Sequence, residues 1–156
     1  MKNAREYFPN VDIYVFPNTT MEASSMMGNL VNTFKSANDL NTNMVWIQVK
    51  GAGQYWSTSA STNQAWLQQA ISAVNSQYQG CGVSSGCVGI LTNSNDWTAI
   101  MGSTTQFSGQ QLWYSELDGE ASFADFQSFG GWTKANIKQY RGATALCSVA
   151  INKDYY

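Results

Sequence analysis

The chain has 156 residues and a mass of 17.2 kDa, the length of one domain able to bury its own core. Eight Lys and Arg against ten Asp and Glu give a net charge of −2 and no histidine is present, which argues against nucleic-acid binding by a basic face and excludes Ser-His or Cys-His catalysis and histidine-ligated zinc. Charged residues make up only 12% and aromatics 13%, so neutral polar groups and ring faces dominate, a composition that suits sugars better than ions.

The N-terminus, Met1-Lys2-Asn3-Ala4-Arg5-Glu6-Tyr7, carries no apolar stretch of the kind a signal peptide needs. Val11-Asp12-Ile13-Tyr14-Val15-Phe16-Pro17 predicts a strand, with Val11, Ile13 and Val15 on one face and Asp12, Tyr14 and Phe16 on the other. Thr19-x-x-Glu22 fits a capping box, and Met26, Met27, Leu30, Val31 and Phe34 recur behind it at helical spacing. Asn18-Thr19-Thr20 also fits an N-glycosylation acceptor, at a place where Thr19 already serves as a cap. The next strand, Met44 to Lys50, repeats the first pattern: Val45, Ile47 and Val49 against Trp46, Gln48 and Lys50.

Ser61-x-x-Gln64 opens a second helix through Leu67, Ala70, Ile71, Val74 and Tyr78, with Gly80 as its stop. Val88 to Thr92 reads as a short apolar strand, followed by a brief helix from Asp96 to Met101 and a strand from Leu112 to Leu117. Two further extended stretches are expected, at Ile137 to Arg141 and Leu146 to Ile151. No apolar run approaches the ~18 residues of a membrane span. Three cysteines, Cys81, Cys87 and Cys147, leave several states open: a Cys81–Cys87 loop, a bridge from Cys147 to either, or three reduced thiols.

Strands alternating with helices imply parallel strands joined by helical crossovers. A doubly wound sheet would be apolar on both strand faces. Here one face is β-branched and the other polar or aromatic, which favours a β/α barrel with a polar interior, although 156 residues is short for eight units. Reacting groups in such a barrel sit at the C-terminal strand ends. The inward candidates there are Asp12, Tyr14, Phe16, Gln48 and Lys50, with Glu116 and Asp118 from a later strand. With histidine absent, the reaction to consider is glycoside hydrolysis, which needs two carboxyl groups flanking the bond.

Val45-Trp46-Ile47-Gln48-Val49-Lys50-Gly51 followed by Tyr55-Trp56-Ser57 resembles the glycoside hydrolase family 25 lysozymes, in the short form of nematodes and amoeboid protists. Asp12 to Pro17, Trp97 to Ser103, Leu112-Trp113-Tyr114, Phe123 to Phe126, Phe129 to Trp132, Ile137 to Tyr140 and the terminal Lys153-Asp154-Tyr155-Tyr156 match in the same order. The resemblance covers essentially the whole chain. It implies one domain over 1–156, an α/β fold built as an incomplete or irregular β/α barrel, mostly parallel, with extended C-terminal strands. It also implies peptidoglycan or a related N-acetylated glycan as ligand, no cofactor, a monomer, and a secreted or lysosomal and phagosomal setting in defence or digestion.

The departures from that family are specific. An Asp-x-Glu pair is expected at the end of the second strand, spaced so that both carboxylates leave one face; here it reads Gln48 and Lys50. A further family acid falls at Asn152, and the family's first two strand-helix units would precede Met1. Glutamine cannot serve as acid or base. A lysine ~4 Å from an oxocarbenium-like transition state costs about 4 kcal/mol at an effective dielectric of ~20, roughly three decades of rate.

Three readings follow. The first is a lysozyme relative that binds cell-wall glycan without cutting it, through Tyr14, Trp46, Tyr55, Trp56, Trp113, Tyr114 and Gln139. The second is a working muramidase with displaced acids, Glu116 and Asp118 at i, i+2, with Asp12 as the other inward carboxylate. The third is a non-functional truncated product that folds incompletely, or only as an assembly, because missing strands leave open sheet edges.

Overall fold

Alternation of strands and helices builds a single six-stranded sheet in which every strand lies beside its sequence neighbour. The computed structural model describes Tyr7 and residues 11–36, 44–146 and 148–156. In chain order the elements are β1 (Ile13–Val15), α1 (Ala23–Ser36), β2 (Val45–Gln48), α2 (Ala60–Gln77), β3 (Val88–Thr92), α3 (Ser94–Met101), β4 (Gln111–Ser115), β5 (Ile137–Leu146) and β6 (Val149–Tyr155). β1 to β5 run parallel and β6 returns antiparallel to β5. The sheet curls into part of a β/α barrel, as the two-faced strands predict. Between β4 and β5 a long loop, residues 116–136, takes the place of a crossover helix.

The β-branched face packs outward. Val15, Val45, Ile47, Val88, Ile90 and Leu112 meet Met27 and Val31 of α1, Leu67, Ala70, Ile71 and Val74 of α2, and Trp97, Ile100 and Met101 of α3. Each Val, Leu, Ile or Met side chain among them, once fully buried, contributes about 1.5–3 kcal/mol. On the concave side a smaller cluster of Met44, Trp46, Leu91 and Ile137, with Trp113 against it, fills one end of the half-barrel. Gly89 makes this cluster possible: a methyl there would overlap the six-membered ring of Trp46.

The helix ends differ from the sequence reading in an instructive way. Thr19 does not cap α1; its hydroxyl donates to the Tyr55 carbonyl at 2.6 Å, tying the loop after β1 to the loop after β2. Asn18 accepts from both the amide and the hydroxyl of Thr20, which closes a local turn ahead of the helix. α2 begins two residues earlier than the Ser61-x-x-Gln64 pattern predicts, capped by Ser59 accepting from the Thr62 amide at 3.4 Å. Gln64 instead donates to the Met101 carbonyl at 2.8 Å, and buried Asn63 donates to Ile100, so both polar residues join α2 to the end of α3. Tertiary partners outcompete the local cap wherever a neighbouring carbonyl would otherwise be orphaned.

Cys81 and Cys87 form a disulfide at the entrance to β3; Cys147 lies outside the described residues. The two C-terminal strands run longer than the alternation predicts, to Leu146 and from Val149 to Tyr155. Their turn carries no Asn-Gly or Gly-Gly signal; Ser148 adopts a positive φ of 65° instead.

Gly89→Ala is expected to lower stability by about 1–3 kcal/mol, the cost of overpacking a filled core, with a changed tryptophan emission. Urea unfolding followed by fluorescence checks both.

Candidate functional site

The filled end of the half-barrel leaves the other end of the concave face open as a cavity of about 620 Å³, within the ~300–1,000 Å³ typical of small-ligand sites. Its apolar floor includes Leu91 and Trp113. Tyr14 comes from β1, Gln48 and Lys50 from the end of β2, Gln139 from β5, and Asn152 and Asp154 from β6. Strand alternation explains the set: Gln48 and Lys50 are two apart, and so are Asn152 and Asp154, so each pair leaves one face.

The lining chemistry is mainly neutral. Gln139 accepts a hydrogen bond from the Ser115 hydroxyl at 3.2 Å, and Asn152 accepts one from the Ala143 amide at 3.2 Å. Both use their carbonyl oxygens, so among the described residues their NH₂ groups are left for an acceptor on a ligand. Asp154 is the one carboxyl in the lining. Its Oδ1 accepts from the Trp113 indole at 3.0 Å. Burial pushes its pKa above the usual 3.8, against the opposing effect of the Trp113 hydrogen bond.

The other acids singled out in the sequence are engaged elsewhere. Asp12 accepts from the Met44 amide at 3.0 Å and the Trp46 indole at 2.8 Å, which commits both oxygens. Glu116 and Asp118 lie beyond the end of β4 and do not line the cavity. Asp118 instead pairs with Lys138 at 2.7 Å, as does Asp125 at 2.7 Å. Lys138 sits on the convex face of β5, its side chain 0% exposed, where the loop that replaces a helix folds the two aspartates over it. Burial works against the Lys138 charge, but the hydrogen bonds it donates to Asp118 and Asp125 outweigh that and raise its pKa above 10.5. The same hydrogen bond holds the Asp118 carboxyl below its usual 3.8. Tyr114, buried behind the loop, is pushed up to about 12 by burial and by the charges of Glu116 and Asp125.

The aromatic candidates divide by layer. Trp113 forms cavity floor and Tyr14 cavity wall. Trp46 lies within the inner cluster, its ring edge-on to Trp113 with centroids 5.6 Å apart. Tyr55 is exposed outside the cavity, edge-on to Phe16 at 4.5 Å. Trp56 and Tyr114 are buried in the outer core, against Trp66 and Phe126 respectively, and do not line the cavity. Among the polar side chains of the lining, Asp154 is the one that the sequence reading did not single out. The signal was available, since it shares a strand face with Asn152. Among the described residues, no group of three or more Cys, Asp or Glu side chains could hold a metal.

Comparison with known proteins places this geometry. Residues 1–140 match the family described as Lysozyme-like protein 1. Counting factor 50 of Dictyostelium discoideum is 35% identical over 96% of this chain and 48% of its own length. Probable GH family 25 lysozyme 5 of the same organism is 31% identical over 94% of this chain and 65% of its own length. The chain thus spans about half of the first relative and just under two thirds of the second. Among solved structures, the bacterial lysozyme from Streptomyces coelicolor superposes with a TM-score of 0.65 at 15% identity, over 92% of this chain and 65% of that one. That likeness is one of fold.

Two stability effects follow. Replacing both Asp118 and Asp125 by Asn strands a buried ammonium and should destabilise far more than either single change; adding Lys138→Met should recover most of the loss. The Asp118 contribution is present above pH 3.8 and is lost as pH falls through its lower folded pKa. Asp154 has the opposite sign: its raised pKa means the folded state is relatively favoured below pH 3.8 and loses that advantage as pH rises through the folded value. Asp154→Asn keeps an acceptor for Trp113 and removes the charge, so its melting temperature at pH 7 should rise. Thermal melts across pH 3 to 8 check both.

Proposed function

Since the chain belongs to the lysozyme-like protein 1 family, we propose that its concave cavity binds N-acetylated cell-wall glycan without hydrolysing it. The observation that carries this reading is the lining itself. Gln48 and Lys50 stand where the β2 end enters the cavity, and Asp154 is the one carboxyl facing it. Hydrolysis by the two-carboxyl mechanism needs one acid to protonate the leaving oxygen and a second group opposite. Gln48 cannot fill either role, and Lys50 brings positive charge toward a centre that becomes positive.

Displaced acids do not restore the pair. Asp118 is held ionised by Lys138, which is the wrong state for a general acid, and Glu116 lies away from the cavity. Binding asks less of the site. Amide N–H groups of Gln139 and Asn152 can donate to an acetamido carbonyl, the Tyr14 hydroxyl and Gln48 can exchange hydrogen bonds with ring hydroxyls, and the Trp113 indole offers an apolar surface to a pyranose. The Cys81–Cys87 disulfide supports a secreted or phagosomal setting, because such bonds persist in oxidising compartments.

The test is sedimentation with insoluble bacterial peptidoglycan alongside reducing-end release. The chain should co-sediment and release no more ends than a blank, while an active lysozyme releases them. Gln48→Ala with Gln139→Ala should weaken binding about tenfold, the loss of roughly 1.4 kcal/mol of hydrogen bonding. Release well above blank would contradict the reading.

A further inference from the structure

We propose that the cavity selects glycans bearing a free carboxylate on the sugar, with Lys50 as the cation that pairs with it. The inference rests on the glycan-binding reading above and adds the charge of the ligand. Lys50 lines the cavity, two residues after Gln48 on the same face of the chain. Among the described residues its ammonium makes no ion pair and no hydrogen bond, in contrast to Lys138, which holds two aspartates. Its cavity neighbours Gln48, Gln139 and Asn152 are amides, with no charge to offset it. The single carboxyl there, Asp154, is bound through Oδ1 to Trp113 on the floor and not to Lys50.

An unpaired cation beside neutral amides favours a ligand with one negative charge set among hydroxyl and acetamido groups. In cell-wall glycan that description fits the lactyl ether acid of an N-acetylated hexosamine. Where a stem peptide is attached, an amide link caps this carboxyl and the charge is absent from the sugar. Stem-free strands expose it on every second residue. A peptide stem also ends in a carboxylate, but without the hydroxyls and acetamido group that the cavity amides address.

The experiment compares three soluble probes by calorimetry at low salt: stem-free glycan oligomers, neutral N-acetylglucosamine oligomers of equal length, and the free stem peptide. The stem-free oligomers should bind about tenfold tighter than the neutral ones, a preference that shrinks at 0.5 M salt. Lys50→Gln should bring the ratio of the two affinities to about one, and Lys50→Arg should keep it. Equal binding of both oligomers by the wild type, or a preference that survives in Lys50→Gln, overturns the charge proposal and leaves glycan binding intact. A peptide that binds more tightly than the stem-free oligomers also overturns it. No binding of either oligomer overturns the glycan reading itself.

Discussion

The inside of the sheet depends on one close approach, the Trp46 ring laid over the bare backbone of Gly89. Because β3 offers no side chain at that point, an indole from β2 reaches across it to the Trp113 indole of β4. Each indole N–H then needs an acceptor, and each finds a carboxylate: Asp12 for Trp46 and Asp154 for Trp113. The resulting line runs from the residue before β1 to the C-terminal end of β6. It joins the first strand to the last without a closed barrel. Below it the concave face is filled; above it the face is open and polar. The cavity exists because the rings stop where they do.

This arrangement also decides what the acids are for. Asp12 spends both oxygens holding Met44 and Trp46, so it is a structural carboxylate. Asp118 and Asp125 compensate a lysine that β5 buries on its convex face, where a crossover helix would otherwise bring apolar side chains. The cost of burying Lys138 is met by two short charge-assisted bonds, and in return the loop of residues 116–136 is held over the sheet. What remains for the cavity is one cation, one half-buried carboxyl and a set of amides. It is this lining, poor in carboxyl groups, on which the proposal of glycan binding without hydrolysis rests.

Much of the fold was legible because strand periodicity is a strong signal when one face is β-branched and the other is not. Val45-Trp46-Ile47-Gln48-Val49-Lys50 already states which residues face the helices and which face the interior. The same alternation could have placed Asp154 beside Asn152. What the pattern does not carry is depth. Trp46, Trp113 and Tyr14 share a face in the sequence, yet one is core, one is floor and one is exposed wall, because their heights along the sheet follow from strand register. Trp56 and Tyr114 lie in the outer layer for a similar reason: contacts with Trp66 and Phe126, distant in sequence, fix their environment. The capping residues misled for a related cause, since Thr19 found a carbonyl in another loop and Gln64 one at the end of α3.

The central claim is that the cavity over Trp113 holds an uncut sugar chain, and a crystal structure of the chain soaked with an N-acetylglucosamine trimer tests it most directly. The account predicts continuous density for the intact trimer in the cavity, an acetamido carbonyl within hydrogen-bond reach of Gln139 or Asn152, and a pyranose over the Trp113 ring. A trimer bound elsewhere on the surface, or cleaved products in the cavity, would contradict it.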